Sequence, residues 1–478
     1  MKIVRSTLLN PIRPIRLTHY ASHITSFVCG VACFVFAFSS PGEEKKISYY
    51  KDVFPIFKRS CNGCHHPGKL KGELDLTTYA AFKKGGKHGA AFKPCETKES
   101  IIIEEISGKE PSMPKEGDPL TSQEVALIES WINQGAGDDT PADANSFKIA
   151  GPPTYTAPPV VSALAFSPDG KVLAVSGYHE VLLQSPTGSN IIARLVGESP
   201  RIESLAYSPD GKMLGVAGSA PARFGEIQLW DTASNVVIRS FKVSLDSIYG
   251  LSFSPDGERV AVGCADKSVR MLAVKDGKEL LKFDNHSDWV FAATFTVNGK
   301  RLLSGSRDRA MKLIDASNGQ FIDDINKLLE PVLCISRHPK EDVVAYGGDL
   351  GSARIYKIAE NQGRTAANND VNLVKDLERL SGPVHAISYS PDGNSLAVGG
   401  VNGELRLFNA KDGKRIADLK GHEGAIFAVA FHPATNWLAS GGFDGKIRIH
   451  ETTKGALVTE FVPVPIKAET VMQKASAK

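Results

Sequence analysis

From Pro159 to Pro463 apolar residues alternate with polar ones, or run unbroken for four to six positions, and tight-turn residues separate the runs. In ALAFSPDGKVLAVSG, Ala163 to Gly177, Pro-Asp-Gly supplies a reversal between two such runs, so the local reading is strand, turn, strand. The unit recurs with anchors at Phe166, Tyr207, Phe253, Phe295, Arg337, Tyr389 and Phe431, spaced by 41, 46, 42, 42, 52 and 42 residues. That period fits a four-stranded propeller blade of roughly 40 to 45 residues. Seven anchors predict seven blades, a number that closes into a ring without exposed sheet edges. The two long spacings contain SAPARFG, Ser219 to Gly225, and ENQGRTAANNDVN, Glu360 to Asn372, both read as loop insertions.

Upstream, from Ile47 to Gly137, the period is helical. Val53, Phe54 and Phe57 share one face of a first helix, in which Pro55 is tolerable if Asp52 caps the first turn. Thr121-Ser122-Gln123-Glu124 reads as a capping box opening a last helix, with Val125, Ile128, Trp131 and Ile132 on one face. The expected fold class is therefore multidomain: an all-α domain over 40–137, then an all-β seven-bladed propeller over 159–463. Between them Gly135 to Pro159 is rich in Gly, Pro and small polar residues that cannot make a core. That segment carries nothing to anchor it; residues 138–158 are read as the linker and 464–478 as a tail, mobile from Ile466 to Lys478.

The N-terminus changes the compartment expected. Lys2, Arg5, Arg13 and Arg16 precede an uncharged apolar run of 15 residues, Ile24 to Phe38. This is shorter than the roughly 20 residues of a spanning helix and predicts an export signal over 1–39, cleaved after Ser39. An uncleaved membrane tether is the alternative. A lipid-modified Cys33 fits less well, because Phe34, Val35 and Phe36 continue the apolar run. The expected location is periplasmic or otherwise exported.

Hydrophobic content of 42% and charged content of 23% suit a soluble, turn-rich protein, and a net charge of +3 offers no basic stripe for nucleic acid. Of seven cysteines, Cys29 and Cys33 fall in the signal, leaving Cys61, Cys64, Cys95, Cys264 and Cys334. That is no disulfide framework, and Cys264 and Cys334 lie in strand-like runs where a buried thiol is the plain reading.

CNGCH, Cys61 to His65, carries the chemistry. Cys-x-x-Cys-His is the pattern of c-type haem attachment: two thiols add to the haem vinyl groups from one helical turn, and the adjacent imidazole faces the iron. Export supplies the compartment where such attachment occurs. Met113, in a polar and Pro-flanked loop between the framing helices, is the candidate distal ligand, with His66 and His88 as competitors. The expected cofactor is one covalent haem c. Its site residues are Cys61, Cys64, His65 and Met113, with His65 and Met113 on the metal. A zinc site from Cys61, Cys64, His88 and Cys95 is the rival, which leaves His65 unexplained.

Tyr49 to Ala136 resembles the small cytochrome c domain of exported planctomycete-type multidomain proteins. The resemblance is carried by CNGCH, KGELDLTTYAAFKKGG, Met113-Pro114 and WINQGA. Ser-Met-Pro-Lys stands where Met-Pro-Pro is usual, and Cys95 adds a thiol. Pro159 to about Pro463 resembles the WD-repeat family, although the namesake dipeptide occurs once, at Trp230-Asp231, and LID, IYK, LFN and IHE stand elsewhere. The family's structural hydrogen-bond set maps onto His286, Ser304 and Asp308 and onto His422, Ser440 and Asp444. A repeated trio is read as blade packing rather than a hydrolase, since buried polar groups need partners and neither serine sits in a Gly-x-Ser-x-Gly elbow.

Two protein axial ligands leave iron no open position, so the expected function is single-electron transfer with the propeller as a docking scaffold. The partners expected are redox proteins and proteins bound by the propeller, with no catalytic residues. The alternatives are a redox enzyme with a catalytic propeller and the cytochrome as internal acceptor, and a structural or sensor protein. No motif marks a second cofactor pocket.

Overall fold

The chain is described here by a computed structural model covering residues 46–66, 69–115, 117–141, 151–358 and 370–467. The apolar run Ile24 to Phe38, with Cys29, Cys33 and the expected cleavage site, lies outside the described residues. So do most of the Glu360 to Asn372 insertion and the tail beyond Lys467. Among the described residues no helix is long and apolar enough to cross a membrane.

The N-terminal region is small and helical. A π-helical turn, Tyr49–Val53, runs into α1 (Phe54–Ser60), followed by α2 (Tyr79–Lys84), α3 (Ile101–Ile106) and α4 (Ser122–Asn133). Asp52 does not cap α1. Its carboxylate accepts from the Ser48 backbone N–H at 2.9 Å, while Ser48 Oγ accepts from Lys51 N–H at 2.9 Å, so the reciprocal cap sits one turn earlier. Pro55 then falls within the first two positions of α1, where its missing N–H would have had no partner in the helix. The expected box at Thr121 forms: Thr121 Oγ1 accepts from Glu124 N–H at 3.3 Å and Glu124 Oε2 from Thr121 N–H at 2.9 Å. Ile128, Trp131 and Ile132 are buried, and Val125 is half-buried.

Aromatic rings tie these short helices together. Phe82 of α2 meets Phe57 of α1 at 5.0 Å edge-on and stacks on Trp131 of α4 at 6.2 Å, and Tyr49 lies 5.3 Å from Trp131. Helices of six or seven residues are marginal alone, so this shared core is what fixes them.

Downstream the chain forms antiparallel sheets. Five have four strands in sequence order, and one has seven. The larger sheet is two blades fused through one long strand, Ile191–Tyr207. Its first half pairs with Tyr178–Gln184 as the outermost strand of blade 1, and its second half pairs with Met213–Ala220 as the innermost strand of blade 2. Among the described residues this makes seven four-stranded units, consistent with a propeller. Their innermost strands are Leu164–Phe166, the second half of Ile191–Tyr207, Ile248–Phe253, Val290–Phe295, Val332–Arg337, Val384–Tyr389 and Ile426–Phe431. All seven end on the repeat anchors.

Each unit packs on the next and the last on the first. Val161, Leu164, Leu173 and Val175 of blade 1 share a core with Ala428, Ala439, Ile447 and Ile449 of blade 7. Across that seam His432 Nε2 lies 3.0 Å from Gly170 O. The unbroken apolar runs explain the layering. Arg259–Cys264, second in its blade, is buried from Val260 onward because sheets cover both its faces, whereas the outermost Leu457–Phe461 stays largely exposed.

Three further expectations fail. SAPARFG is mostly not a loop: Ser219 pairs with Gly225 and Ala220 with Phe224, so the insertion lengthens a hairpin of blade 2. The linker is anchored at both described ends. Ala136 is buried, and its carbonyl accepts from Tyr79 OH at 2.8 Å. Gly137 O accepts from Trp131 Nε1 at 3.0 Å and Asp139 from the Tyr50 N–H at 2.9 Å. At the far end Tyr155 is buried with Leu182 and Val464, and its hydroxyl donates to Glu180 at 2.7 Å. The supposed tail also starts held, since Ile466 bridges to Tyr155 and Lys467 N–H donates to Tyr155 O at 2.9 Å. Small polar composition excludes a core of the linker's own, but one tyrosine suffices to pin it to a neighbour's.

Candidate functional site

Cys61, Cys64 and His65 share one turn that continues α1. Cys61 N–H donates to Phe57 O at 2.8 Å, and both Cys64 and His65 donate to Cys61 O at 3.1 Å. Helical hydrogen bonding across the motif puts both thiols and the imidazole within one turn of backbone. The following segment fixes that turn from outside: Lys71 N–H donates to Cys64 O at 3.2 Å and Leu76 N–H to His65 O at 3.0 Å. A short antiparallel pairing, His65–His66 with Lys69–Leu70, completes the hold, the small β element in an otherwise helical region. KGELDL thus serves the motif's backbone, with Leu76 buried beneath it.

Both thiols are free and half-buried. Burial pushes the Cys61 thiol up to about 11, against the opposing pull of the Arg59 guanidinium. His65 Nδ1 is buried and has no hydrogen-bond partner among the described residues. A buried polar atom without a partner is costly, and an imidazole that these protein atoms leave unpartnered fits a histidine that takes a further group. The donor set fits haem c: two thiols at the required spacing, and a histidine next to the second.

Met113 is half-buried in the loop after α3, its N–H donating to Glu105 O at 2.9 Å, and the bond to Pro114 is cis. Ser112 also bonds to the Glu105 carboxylate. Beside this loop a cleft of about 290 Å³ opens between α3 and α4, lined by Ile106, Pro111, Leu120 and Val125 among others but by none of Cys61, Cys64 and His65. His88 is exposed in the loop closed by the Gly86–Gly89 bridge, and Cys95 is exposed with a positive φ of 63°. Among the described residues no three His, Cys, Asp or Glu side chains gather as a metal-holding group, so Cys61, Cys64, His88 and Cys95 do not form the rival tetrahedral set.

The propeller trios are packing devices. His286 Nδ1 lies 2.8 Å from Asp308 Oδ2 and its Nε2 2.8 Å from Ser304 Oγ. Burial opposes the Asp308 charge, but the His286 hydrogen bond and charge outweigh it and hold the carboxyl at about 2. In blade 7 His422 Nε2 keeps its Ser440 partner at 2.8 Å. There Arg448 inserts its guanidinium, 2.8 Å from His422 Nδ1 and 2.6 Å from Asp444. Blade 5 builds the same node from other residues, with Arg354 donating to Glu330 at 3.4 Å and to Tyr346 OH at 2.8 Å. Spacing alone did not reveal that set, because its residue types differ. Its signal is register: Arg354 pairs with Tyr346 as Arg448 pairs with Ser440.

Comparison with known proteins places these two regions. The family described as planctomycete cytochrome C matches residues 61–117. The WD domain, G-beta repeat, matches 413–451, and the anaphase-promoting complex subunit 4 WD40 domain matches 244–298 and 338–427. Protein groucho of Drosophila melanogaster is 30% identical over 128 residues, which are 26% of this chain and 17% of that protein. The chain spans less than a fifth of that relative. With the helical region built around CNGCH and the repeated antiparallel sheets behind it, these matches identify a planctomycete-type cytochrome c domain fused to a region of WD repeats.

Proposed function

We propose that this is an exported c-type cytochrome that passes single electrons and uses its WD-repeat region as a docking scaffold. The observation that carries the reading is the single turn holding two free, half-buried thiols beside an imidazole whose buried Nδ1 lacks a partner among the described residues. Cys61 and Cys64 would hold haem c by thioether links, His65 would be its proximal ligand and Met113 its distal one. When bound, the haem supplies a one-electron iron couple, which a methionine opposite histidine biases toward higher potential.

The chain's own part is positional. Lys71 and Leu76 hold the carbonyls of Cys64 and His65, so the three attaching groups keep their spacing, and the Glu105 carbonyl holds the backbone of Met113. Phe57, Phe82 and Trp131 pack the side of α1 away from water. Were His65 and Met113 both to hold the iron, the group would supply electron passage rather than substrate turnover. Export is part of the same reading, supported by the basic residues and apolar run before Ser39.

Expression with and without a c-type maturation system tests it. A band that keeps haem through denaturing electrophoresis, lost in Cys61→Ala/Cys64→Ala, is expected. A haem-free protein carrying one tightly held zinc would refute the reading, and a second chromophore retained by the WD-repeat region would turn it toward an enzyme.

A further inference from the structure

Phe443, at 65%, is the most exposed large apolar side chain among the described residues. It sits in the turn between the second and third strands of blade 7, and that turn does not need it. The residue at this place donates its N–H to the carbonyl just before the strand that opens its own blade in five blades: Ala265 to Ser247, Arg307 to Trp289, Asp349 to Pro331, Val401 to Pro383 and Phe443 to Ala425, at 2.8 to 3.2 Å. The backbone bond is the same whether the side chain is methyl, guanidinium, carboxylate, isopropyl or phenyl. Folding therefore leaves this side chain free, and blade 7 spends the freedom on exposed apolar surface.

Neighbours make the exposure a groove. Phe443, Phe427, Val160 and Tyr178 line a depression of about 420 Å³ where blades 7, 1 and 2 meet, with Val160 and Tyr178 themselves 45% and 55% exposed. Phe427 reaches it from a bulge in the innermost strand, where pairing skips from Ile426 to Ala428. Such bulges re-aim a side chain out of its ladder. Pro159 and Pro200 on the rim offer no backbone N–H, so main-chain pairing with an added strand is disfavoured and recognition falls to side chains.

Charge selects among occupants. Arg201 lines the same groove, and its side chain is 64% exposed. Glu203, which lines the groove too, lies 3.6 Å from Arg201 Nε and also accepts from Ser219 Oγ at 3.0 Å, so it meets one edge of the guanidinium and leaves the other donors of this exposed side chain toward solvent. A guanidinium with open donors beside an apolar floor suits a carboxylate next to a large apolar group.

We propose that this groove docks a segment of a partner protein that inserts one large apolar or aromatic side chain among Val160, Tyr178, Phe427 and Phe443 and sets an adjacent aspartate or glutamate against Arg201. The inference rests on the scaffold reading of the WD-repeat region and adds the place and the chemistry of the partner.

A displayed library of random 12-residue peptides, selected on the full-length protein, tests it. Selected peptides should converge on a large apolar residue within two positions of Asp or Glu. Resynthesised, they should bind Phe443→Ala at least tenfold more weakly, a change the turn accepts because Ala265 occupies the same place in blade 3. Arg201→Glu should lose those peptides and, selected afresh, should replace the acid by Lys or Arg. Thermal melts matching the parent protein keep both variants interpretable. Peptides that bind both variants undiminished would overturn the groove while leaving the scaffold reading intact. A library yielding no binder to any of the three proteins would overturn the scaffold reading itself.

Discussion

Arg59, two residues before Cys61, pairs through its guanidinium with Glu124, the residue whose carboxylate also closes the capping box of α4. One side chain thus serves both the turn that carries the motif and the start of the last helix. The two roles differ in worth. An ion pair with Arg59 62% exposed contributes roughly 0 to 1 kcal/mol, whereas a lost cap costs about 1 kcal/mol. Glu124→Ala should therefore destabilise the first turn of α4 more than Arg59→Ala does. Native-state hydrogen exchange at the Thr121 and Glu124 amides should rank the two in that order, and equal effects would mean that the pair rather than the cap matters.

Met113 and His88 compete for the distal position, and their settings differ. Met113 is half-buried with its backbone held by Glu105, while His88 is exposed. In haem-loaded protein Met113→Ala should abolish the methionine-to-iron charge-transfer band and lower the reduction potential, and His88→Ala should leave both nearly unchanged. The reverse pattern would assign the ligand to His88.

Blade 7 should be acid-sensitive through His422. Burial and then the Arg448 charge push its imidazole down to about 4, so the folded state keeps it neutral. An unfolded histidine titrates near 6.5, hence between about 6.5 and 4 the unfolded chain binds the extra proton. Stability should be complete above this window and fall as pH drops through it, by on the order of 2 to 3 kcal/mol. His422→Gln should be less stable at neutral pH yet show a shallower slope in urea denaturation between pH 7 and 4, the remainder coming from His450 and His385, which burial also holds below the usual histidine range. The depressed Asp308 should add a further loss only as pH falls from about 4 toward 2.

Tyr155 holds the entry to blade 1. Its hydroxyl donates to Glu180, fully buried and also paired with Arg194 at 2.6 Å. Tyr155→Phe keeps the ring among Leu182 and Val464 but removes one bond to a buried carboxylate. The expected cost is about 1.5 to 3 kcal/mol, read as a lower urea midpoint. Tyr155→Ala should cost more, because the ring also leaves Leu182 and Val464, and should increase proteolysis near Lys467, whose N–H bonds a Tyr155 backbone carbonyl that only the buried ring keeps in place. An unchanged midpoint in both would mean that the first blade closes without this anchor.

The sequence by itself determined the features whose signals are short-ranged. Each repeat anchor ends an innermost strand, because a turn such as Ser167-Pro168-Asp169-Gly170 sets where two strands reverse, and Gly170, at φ 73°, adopts the backbone that turn requires. The box at Thr121 and the spacing of Cys61, Cys64 and His65 are likewise settled within one helical turn. Tertiary structure decided what depends on distant partners. Ser219 to Gly225 reads as a loop but pairs as a hairpin, because the edges of Met213–Ala220 and Phe224–Asp231 were already in place to extend. Tyr155 anchors a segment of linker composition only because Glu180 and Val464, 25 and 309 residues away in the chain, surround it. Glu330, Tyr346 and Arg354 replace a histidine node with different chemistry, since packing demands a satisfied network and not particular residues. Phe443 looks in the sequence like one more apolar residue; that it is exposed rather than buried follows from which side of a turn the neighbouring blades leave uncovered.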